Sequence, residues 1–127
     1  MYTLKKEERL CNKKLIDELF HNGSSFLCYP FKASWMFTDA AQPFPAQVLF
    51  AVSKKRFKRA VDRNRIKRVS REVYRLNKQA HLYDQLTGSE KKIVVSLAYI
   101  GKELPEYGFA EKKMLKLLKQ LCAEAAV

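Results

Sequence analysis

Twelve lysines and arginines fall between Lys54 and Lys78 against two acids, Asp62 and Glu72, so this one segment carries a net +10 of the chain's formal +12. A stretch of that charge cannot be packed whole into an apolar interior, and its self-repulsion has to be offset by something outside the fold. Its apolar residues nevertheless keep helical register. At roughly 100° per residue, Val61, Ile66, Val69, Val73 and Leu76 fall on one side of a helix, and Arg63, Asn64, Lys67, Arg68, Arg71 and Arg75 on the other. The spacing predicts a helix that begins between Phe57 and Val61 and ends near Asn77, with one side for a core and the other for a polyanion. A merely solvated helix face would mix signs through i, i+4 pairs, and this one has almost no acids to mix. A nucleic-acid backbone is the most economical partner for it.

Outside that segment the chain is close to neutral. Its 127 residues suit a single domain, 1–127, with residues 1–9 charged and expected to be frayed or extended. No apolar run reaches bilayer length, and the opening MYTLKKEERL lacks the hydrophobic region of a secretory signal. The expectation is a cytoplasmic protein with no membrane partner. Cys11, Cys28 and Cys122 are odd in number and far apart, so they read as reduced thiols, two of them in or near the core. His21 and His81 have no neighbouring ligand set, and no metal or cofactor bound by the protein is expected.

Asn12 can cap a first helix whose Leu15, Ile16, Leu19 and Phe20 form an apolar stripe, and Asn22-Gly23 can stop it in the left-handed conformation. From Ser24 to Thr38 the pattern turns to alternation, with Leu27, Tyr29, Phe31, Ala33, Trp35 and Phe37 on one parity. Period two means strand, and Pro30 marks an edge position or a break between two short strands. After a loop over Asp39–Pro45, Ala46–Ser53 reads as a second strand, apolar enough to be central and placed to pair antiparallel with the first. The basic helix follows, then a polar stretch from Gln79 to Glu90 with a turn at Thr87-Gly88-Ser89. Lys91–Tyr99 is a buried third strand, Gly101–Gly108 a loop containing Pro105, and Phe109–Glu124 an amphipathic helix that buries Met114, Leu117, Leu118 and Leu121. The order strand, helix, strand from Ala46 to Tyr99 permits a crossover between parallel neighbours.

Nothing in the chain assembles a nucleophile, base and oxyanion donor. No framed carboxylate pair, G-x-S-x-G, H-E-x-x-H, phosphate loop or dinucleotide fingerprint occurs, and Ser53 beside Lys54 reads as a turn leading into the helix. Any chemistry in which the chain takes part is then expected of its partner.

The run Ala60-Val61-x-Arg63-Asn64-Arg65-Ile66-Lys67-Arg68, preceded by Val52-Ser53-Lys54-Lys55 and followed by Arg71-Glu72, resembles the signature of the bacterial ribonuclease P protein subunits. The likeness extends to Arg9-Leu10, to Phe20-x-x-Gly23, to the aromatic strand and to the strand after the basic helix. It implies an α/β (α+β) two-layer sandwich of the ribosomal protein S5 domain 2-like kind, with a mixed sheet of about four strands, three helices and a left-handed βαβ crossover; the general rule for such connections would be right-handed. It also implies a monomeric protein, one per RNA, that joins a catalytic RNA and takes part in removing the 5′ leader of precursor tRNA, with Mg²⁺ held by the RNA subunit. Carried over by position, the RNA-binding set is Lys54, Lys55, Arg56, Arg59, Arg63, Asn64, Arg65, Lys67, Arg68 and Arg71, and the leader-binding cleft contains Phe20, Phe31 and Lys67. The chain departs from the family's pattern at Ile16 and Ser34, where aromatics are common, and at Leu49 and Ala98. Those departures shift the expected leader contacts toward Tyr29, Trp35 or Tyr99.

Three rival readings share parts of this evidence. A ribosomal or assembly protein that binds structured RNA would carry the same charge pattern. A DNA-binding regulator would place the basic helix in a major groove, but would want a helix-turn-helix neighbour and a dimer face. A protein-only nuclease would need clustered acids.

Overall fold

The computed structural model describes residues 4–38, 44–86 and 92–125. Their elements run in the order α1 (Lys13–Asn22), β1 (Ser24–Cys28), β2 (Phe31–Thr38), β3 (Ala46–Val52), α2 (Ala60–Lys78), a short turn of helix α3 (Asp84–Leu86), β4 (Lys92–Tyr99) and α4 (Tyr107–Ala125). The four strands form one mixed sheet in the order β1-β2-β4-β3. β1 and β2 are antiparallel, β2 and β4 are antiparallel, and β3 runs parallel to β4 through the crossover that contains α2.

Strand parity divides the sheet into two unlike faces. Phe31, Ala33 and Trp35 of β2 are in register with Tyr99, Leu97 and Val95 of β4, and Val48 of β3 lies beside Val95. This face meets Ile66, Val73 and Tyr74 of α2 and Met114, Leu117, Leu118 and Leu121 of α4 in the main core. Each fully buried aliphatic there contributes about 1.5–3 kcal/mol. On the opposite face, Met36, Val94 and Leu49 pack against Leu15, Ile16 and Leu19 of α1, with Leu10 beneath them. Asn12 caps α1 as its type predicts, its Oδ1 accepting from the N–H groups of Lys14 at 3.0 Å and Leu15 at 3.3 Å.

Gly23 ends α1 for another reason than the one expected. Its φ is −73°, ordinary extended backbone. What excludes a side chain is space, because a Cβ at this position would sit 2.4 Å from the Leu19 carbonyl oxygen and 2.8 Å from Leu19 Cδ1. The chain turns into β1 against its own helix.

The expected pairing of Ala46–Ser53 with the first strand is corrected. β3 is the edge strand and β4 the central one, since β4 is buried on both parities whereas β3 is fully buried only at Ala46 and Val48. A parallel strand covered on both faces reads as a continuous apolar run, and Ile93-Val94-Val95 is that run. The alternation from Ser24 to Thr38 also resolves into two strands, reversing at Tyr29-Pro30, whose peptide bond is cis. Cys28 pairs with Phe31 across that turn, so Phe26 and Cys28 face the main core while Leu27 and Tyr29 are turned out.

Three further expectations change. Residues 6–8 form a 3₁₀ turn, Leu10 N–H donates to the Val48 carbonyl at 2.9 Å, and Arg9 bridges to Val48, so the charged N-terminal segment is docked on the edge of β3. Such docking covers backbone groups that an edge strand otherwise leaves open. The stretch from Gln79, read as polar, continues as helix: α2 passes through a π-turn, Gln79–Tyr83, into α3, burying Leu82 and Tyr83. The turn expected at Thr87-Gly88-Ser89 lies outside the described residues. Val61, placed by periodicity on the core side, is 68% exposed at the first turn of α2. No described helix is long and apolar enough to cross a membrane.

Candidate nucleic-acid interface

Between β3 and α2 the chain makes a basic loop with a fixed shape. Ser53 builds it, its Oγ accepting from Lys55 N–H at 3.2 Å and its carbonyl from Phe57 N–H at 3.1 Å. Phe57 is the plug, 8% exposed against Tyr99, while Lys54, Lys55, Arg56, Lys58 and Arg59 remain at the surface. Two arginines tie the loop down. Arg56 donates to the Ile100 carbonyl at 2.9 Å, and Arg63 Nη1 donates to the carbonyls of Phe57 at 2.7 Å and Lys58 at 2.8 Å. Arg63 is therefore half-buried and holds the loop against the helix that follows.

α2 then presents its polar side outward. Asn64, Arg65, Arg68 and Arg71 are exposed and Lys67 is half-buried, while Ile66, Ser70, Val73 and Tyr74 face the core. No ion pair joins Arg65, Lys67, Arg68 or Arg71 to an acid among the described residues. Charges arranged this way are available to an outside anion. Farther along the helix the pattern changes: Arg75 forms a bidentate pair with Glu72, at 2.5 and 3.2 Å, which holds the Glu72 carboxyl below its usual value. Lys78 leaves the surface altogether, 2% exposed and paired with Glu8. The basic face thus ends at about Arg71, before the helix does.

The Glu8–Lys78 pair is a structural centre on its own. Glu8 Oε1 accepts from Lys78 Nζ and, at 2.7 Å, from the Tyr83 hydroxyl, and Oε2 accepts from Lys5 N–H at 2.7 Å. Burial alone would raise the Glu8 carboxyl, but the Lys78 ammonium, the Lys5 N–H and the Tyr83 hydroxyl together hold it below its ordinary value. Burial pushes the Tyr83 and Tyr74 hydroxyls well above the ordinary phenol range. The sequence offered no signal for this centre, because its charged members are 70 residues apart.

Phe20, expected to touch a ligand, stands 59% exposed on α1. Ile16, on α1, and Leu49, on β3, pack in the cluster between that helix and the sheet, while Ser34 and Ala98 lie half-buried on the same face of the sheet, beside the exposed Lys32. The positions that depart from the family's pattern thus share one face with Phe20. Phe31 does not. It is 1% exposed in the main core, its ring edge-on to Tyr99 at 5.8 Å, and its parity turns it away from α1. Its assignment to the leader cleft is therefore corrected: the β1–β2 reversal points that side chain inward, and it offers no surface to a ligand. Trp35 and Tyr99 are buried on the same side, so of the three alternatives only Tyr29 is exposed. Lys32 and Lys58 are surface cations that the sequence reading passed over; Lys32 was legible as the polar parity of β2, and Lys58 as part of the charge run.

Among the described residues, no three of His, Cys, Asp and Glu converge as a metal site.

Comparison with known proteins gives a consistent result. The family model described as Ribonuclease P matches residues 4–122. A ribonuclease P protein component of Porphyromonas gingivalis is 37% identical over 119 residues, covering 92% of this chain and 85% of that protein. Its counterpart in Chlorobium phaeobacteroides is 37% identical over 130 residues, covering 94% and 88%. The same fold is found in the ribonuclease P protein of Thermotoga maritima, with a TM-score of 0.69 at 23% identity, covering 89% of this chain and 96% of the other. The Staphylococcus aureus protein gives 0.67 at 20% identity over 90% and 94%.

Proposed function

The chain belongs to the ribonuclease P protein family, and on that premise we propose that it is the protein cofactor of a ribonucleoprotein that removes the 5′ leader of precursor tRNA. The observation that carries the reading is the outward face of α2 and its preceding loop, where Lys54, Lys55, Arg59, Arg65, Lys67, Arg68 and Arg71 have no carboxylate partner among the described residues. Guanidinium groups match phosphate oxygens with paired donors, and each phosphate neutralised releases condensed counterions. RNA helices that repel one another then pack at physiological ionic strength.

In this proposal Arg56 and Arg63 act first on the protein, shaping the basic loop through backbone carbonyls. Their remaining N–H groups, with Asn64, complete the RNA-binding set. The α1-side face of the sheet receives the single-stranded leader, with Phe20 as its exposed aromatic and Lys32 as a surface cation of that face, while Lys67, on α2 against the opposite face, acts with the RNA-binding set. Binding leader there favours precursor over product. Mg²⁺ belongs to the RNA subunit: a surface of this charge repels a hydrated divalent cation, and the described residues supply no carboxylate set to hold one.

The test is reconstitution at low Mg²⁺ with the purified chain, the catalytic RNA and a precursor tRNA. Leader removal that requires both macromolecules is the expected result. Cleavage by the protein alone, or RNA binding with no gain in cleavage, would sink it, the second outcome favouring a structured-RNA-binding protein of ribosomal or assembly type.

A further inference from the structure

We propose that the cleft between the β1–β2 turn, the loop after β4 and the start of α4 is a pocket for one unpaired, amino-bearing nucleobase of an RNA strand. The cleft measures about 480 Å³ and lies between Tyr29 and Pro30 on one side and Leu104, Pro105 and Phe109 on the other. That volume is within the range of small-ligand sites. Large apolar side chains are concentrated at its mouth, where Tyr29 is 55%, Leu104 39% and Phe109 43% exposed. Of the seven large apolar side chains that stand exposed among the described residues, these three surround one opening.

The walls are pre-formed. Ile100 N–H donates to the Pro30 carbonyl at 2.7 Å, and the Tyr99 hydroxyl donates to the Glu103 carbonyl at 2.6 Å. A Cβ on Gly101 would come within 2.6 Å of that hydroxyl, so the loop is drawn tightly over Tyr99. Arg56 donates to the carbonyl of Ile100, which fastens the basic loop directly to this wall. Phosphate-binding cations and exposed aromatic faces therefore adjoin.

That adjacency selects the occupant. A proline-rich peptide would use the aromatics and leave the cations idle, whereas an unpaired RNA strand uses both, phosphates on one and a base on the other. Glu103 and Glu106 also line the cleft, and their carboxylates only accept hydrogen bonds. The exocyclic amines of cytosine, adenine and guanine can donate to them, and the corresponding carbonyl of uracil cannot. Because Tyr99 faces away from α1, this pocket lies on the other side of the sheet from Phe20 and is separate from the leader-binding face proposed above.

The inference rests on the RNA-binding reading and is tested apart from it. The full chain is titrated with short single-stranded oligocytidylate and oligouridylate, and with an oligonucleotide carrying 2-aminopurine, whose fluorescence is quenched by stacking. Wild type should prefer cytidylate and quench the probe. Tyr29→Ala and Phe109→Ala should each lose about tenfold in affinity and most of the quenching. Tyr29→Phe should retain both, and Glu103→Gln with Glu106→Gln should narrow the preference for cytidylate. Unchanged affinity and quenching in both alanine variants would overturn the proposal. So would a proline-rich peptide whose binding needs Tyr29 while the oligonucleotides bind as before. In the reconstituted complex, a Tyr29→Ala effect confined to leader-bearing precursor puts the base in the leader, and an effect on association with the catalytic RNA puts it there; either supports the pocket. If Arg65→Ala with Arg68→Ala fails to weaken catalytic RNA binding, the functional reading falls. If that pair weakens it and the Tyr29 and Phe109 variants do nothing to oligonucleotides, only the pocket does.

Discussion

Arg65 and Arg68 form no ion pair with any described acid, whereas Arg75, on the same helix, is committed to Glu72. This difference decides which arginines can matter to an outside anion. Replacing Arg65 or Arg68 with Ala should weaken association with the catalytic RNA and reduce the slope of log affinity against log salt by about one phosphate each. Filter binding across a salt series measures both, and an unchanged slope would remove that residue from the contact. Arg75→Ala should change neither. Phe20 makes a second comparison possible because it is exposed where its stripe partners Leu15, Ile16 and Leu19 are not. Phe20→Ala should weaken binding of a leader-bearing precursor by about fivefold to a hundredfold, the range for one stacked base, and leave mature tRNA binding unchanged. An equal loss for both RNAs would make it a residue that shapes the protein.

α2 illustrates what could be read from the chain and what could not. Its position, length and outward residues followed from periodicity, because a 3.6-residue repeat of Ile66, Val69 and Val73 is a local property. Its ending did not. Lys78 belongs to the same run of cations but is buried against Glu8, and a pairing across 70 residues leaves no local trace. Pairing order in the sheet was illegible for a similar reason: β3 and the aromatic strand are neighbours in sequence, but β4 has apolar residues on both parities and took the centre between them. The aromatic alternation was legible as strand, yet the reversal at Tyr29-Pro30 decided which rings are inside, and so moved Phe31 from ligand cleft to core. The Glu8–Lys78 latch should have a measurable signature. Lys78→Met leaves Glu8 buried without its counter-ion and should cost about 3–5 kcal/mol in denaturant unfolding, part of which Glu8→Gln in the same chain should recover. Glu8 is held below its ordinary pKa, so its stabilising contribution is present at neutral pH and is lost as pH falls through the depressed value. Glu8→Gln should flatten that acid limb of the stability curve. A variant with the same acid dependence as wild type would show that the pair carries no such linkage.

Taken as a charged body, the molecule places most of its excess on one surface. Of the twelve cations from Lys54 to Lys78, the fold neutralises Arg75 and Lys78 through Glu72 and Glu8 and leaves the others without a carboxylate at salt-bridge distance among the described residues. The loop and α2 hold these charges near one another, so forming the native state concentrates a repulsion that the unfolded chain disperses. An anion that bridges several of them should then bind the folded chain better than the unfolded one, and by mass action raise its stability by about 2.7 kcal/mol at a concentration one hundred times its dissociation constant. Sulfate is the simplest probe, and chloride at matched ionic strength is the control, since general screening acts through ionic strength alone. The unfolding midpoint is expected to rise more in sulfate than in chloride, and the difference should shrink in Arg65→Ala with Arg68→Ala, which removes the bridging geometry. It should persist in Arg75→Ala, where the charge was already paired. Equal midpoints in the two salts would mean that repulsion on this surface is too dispersed to bind a small anion, and that only a polymer with phosphates at fixed spacing engages it.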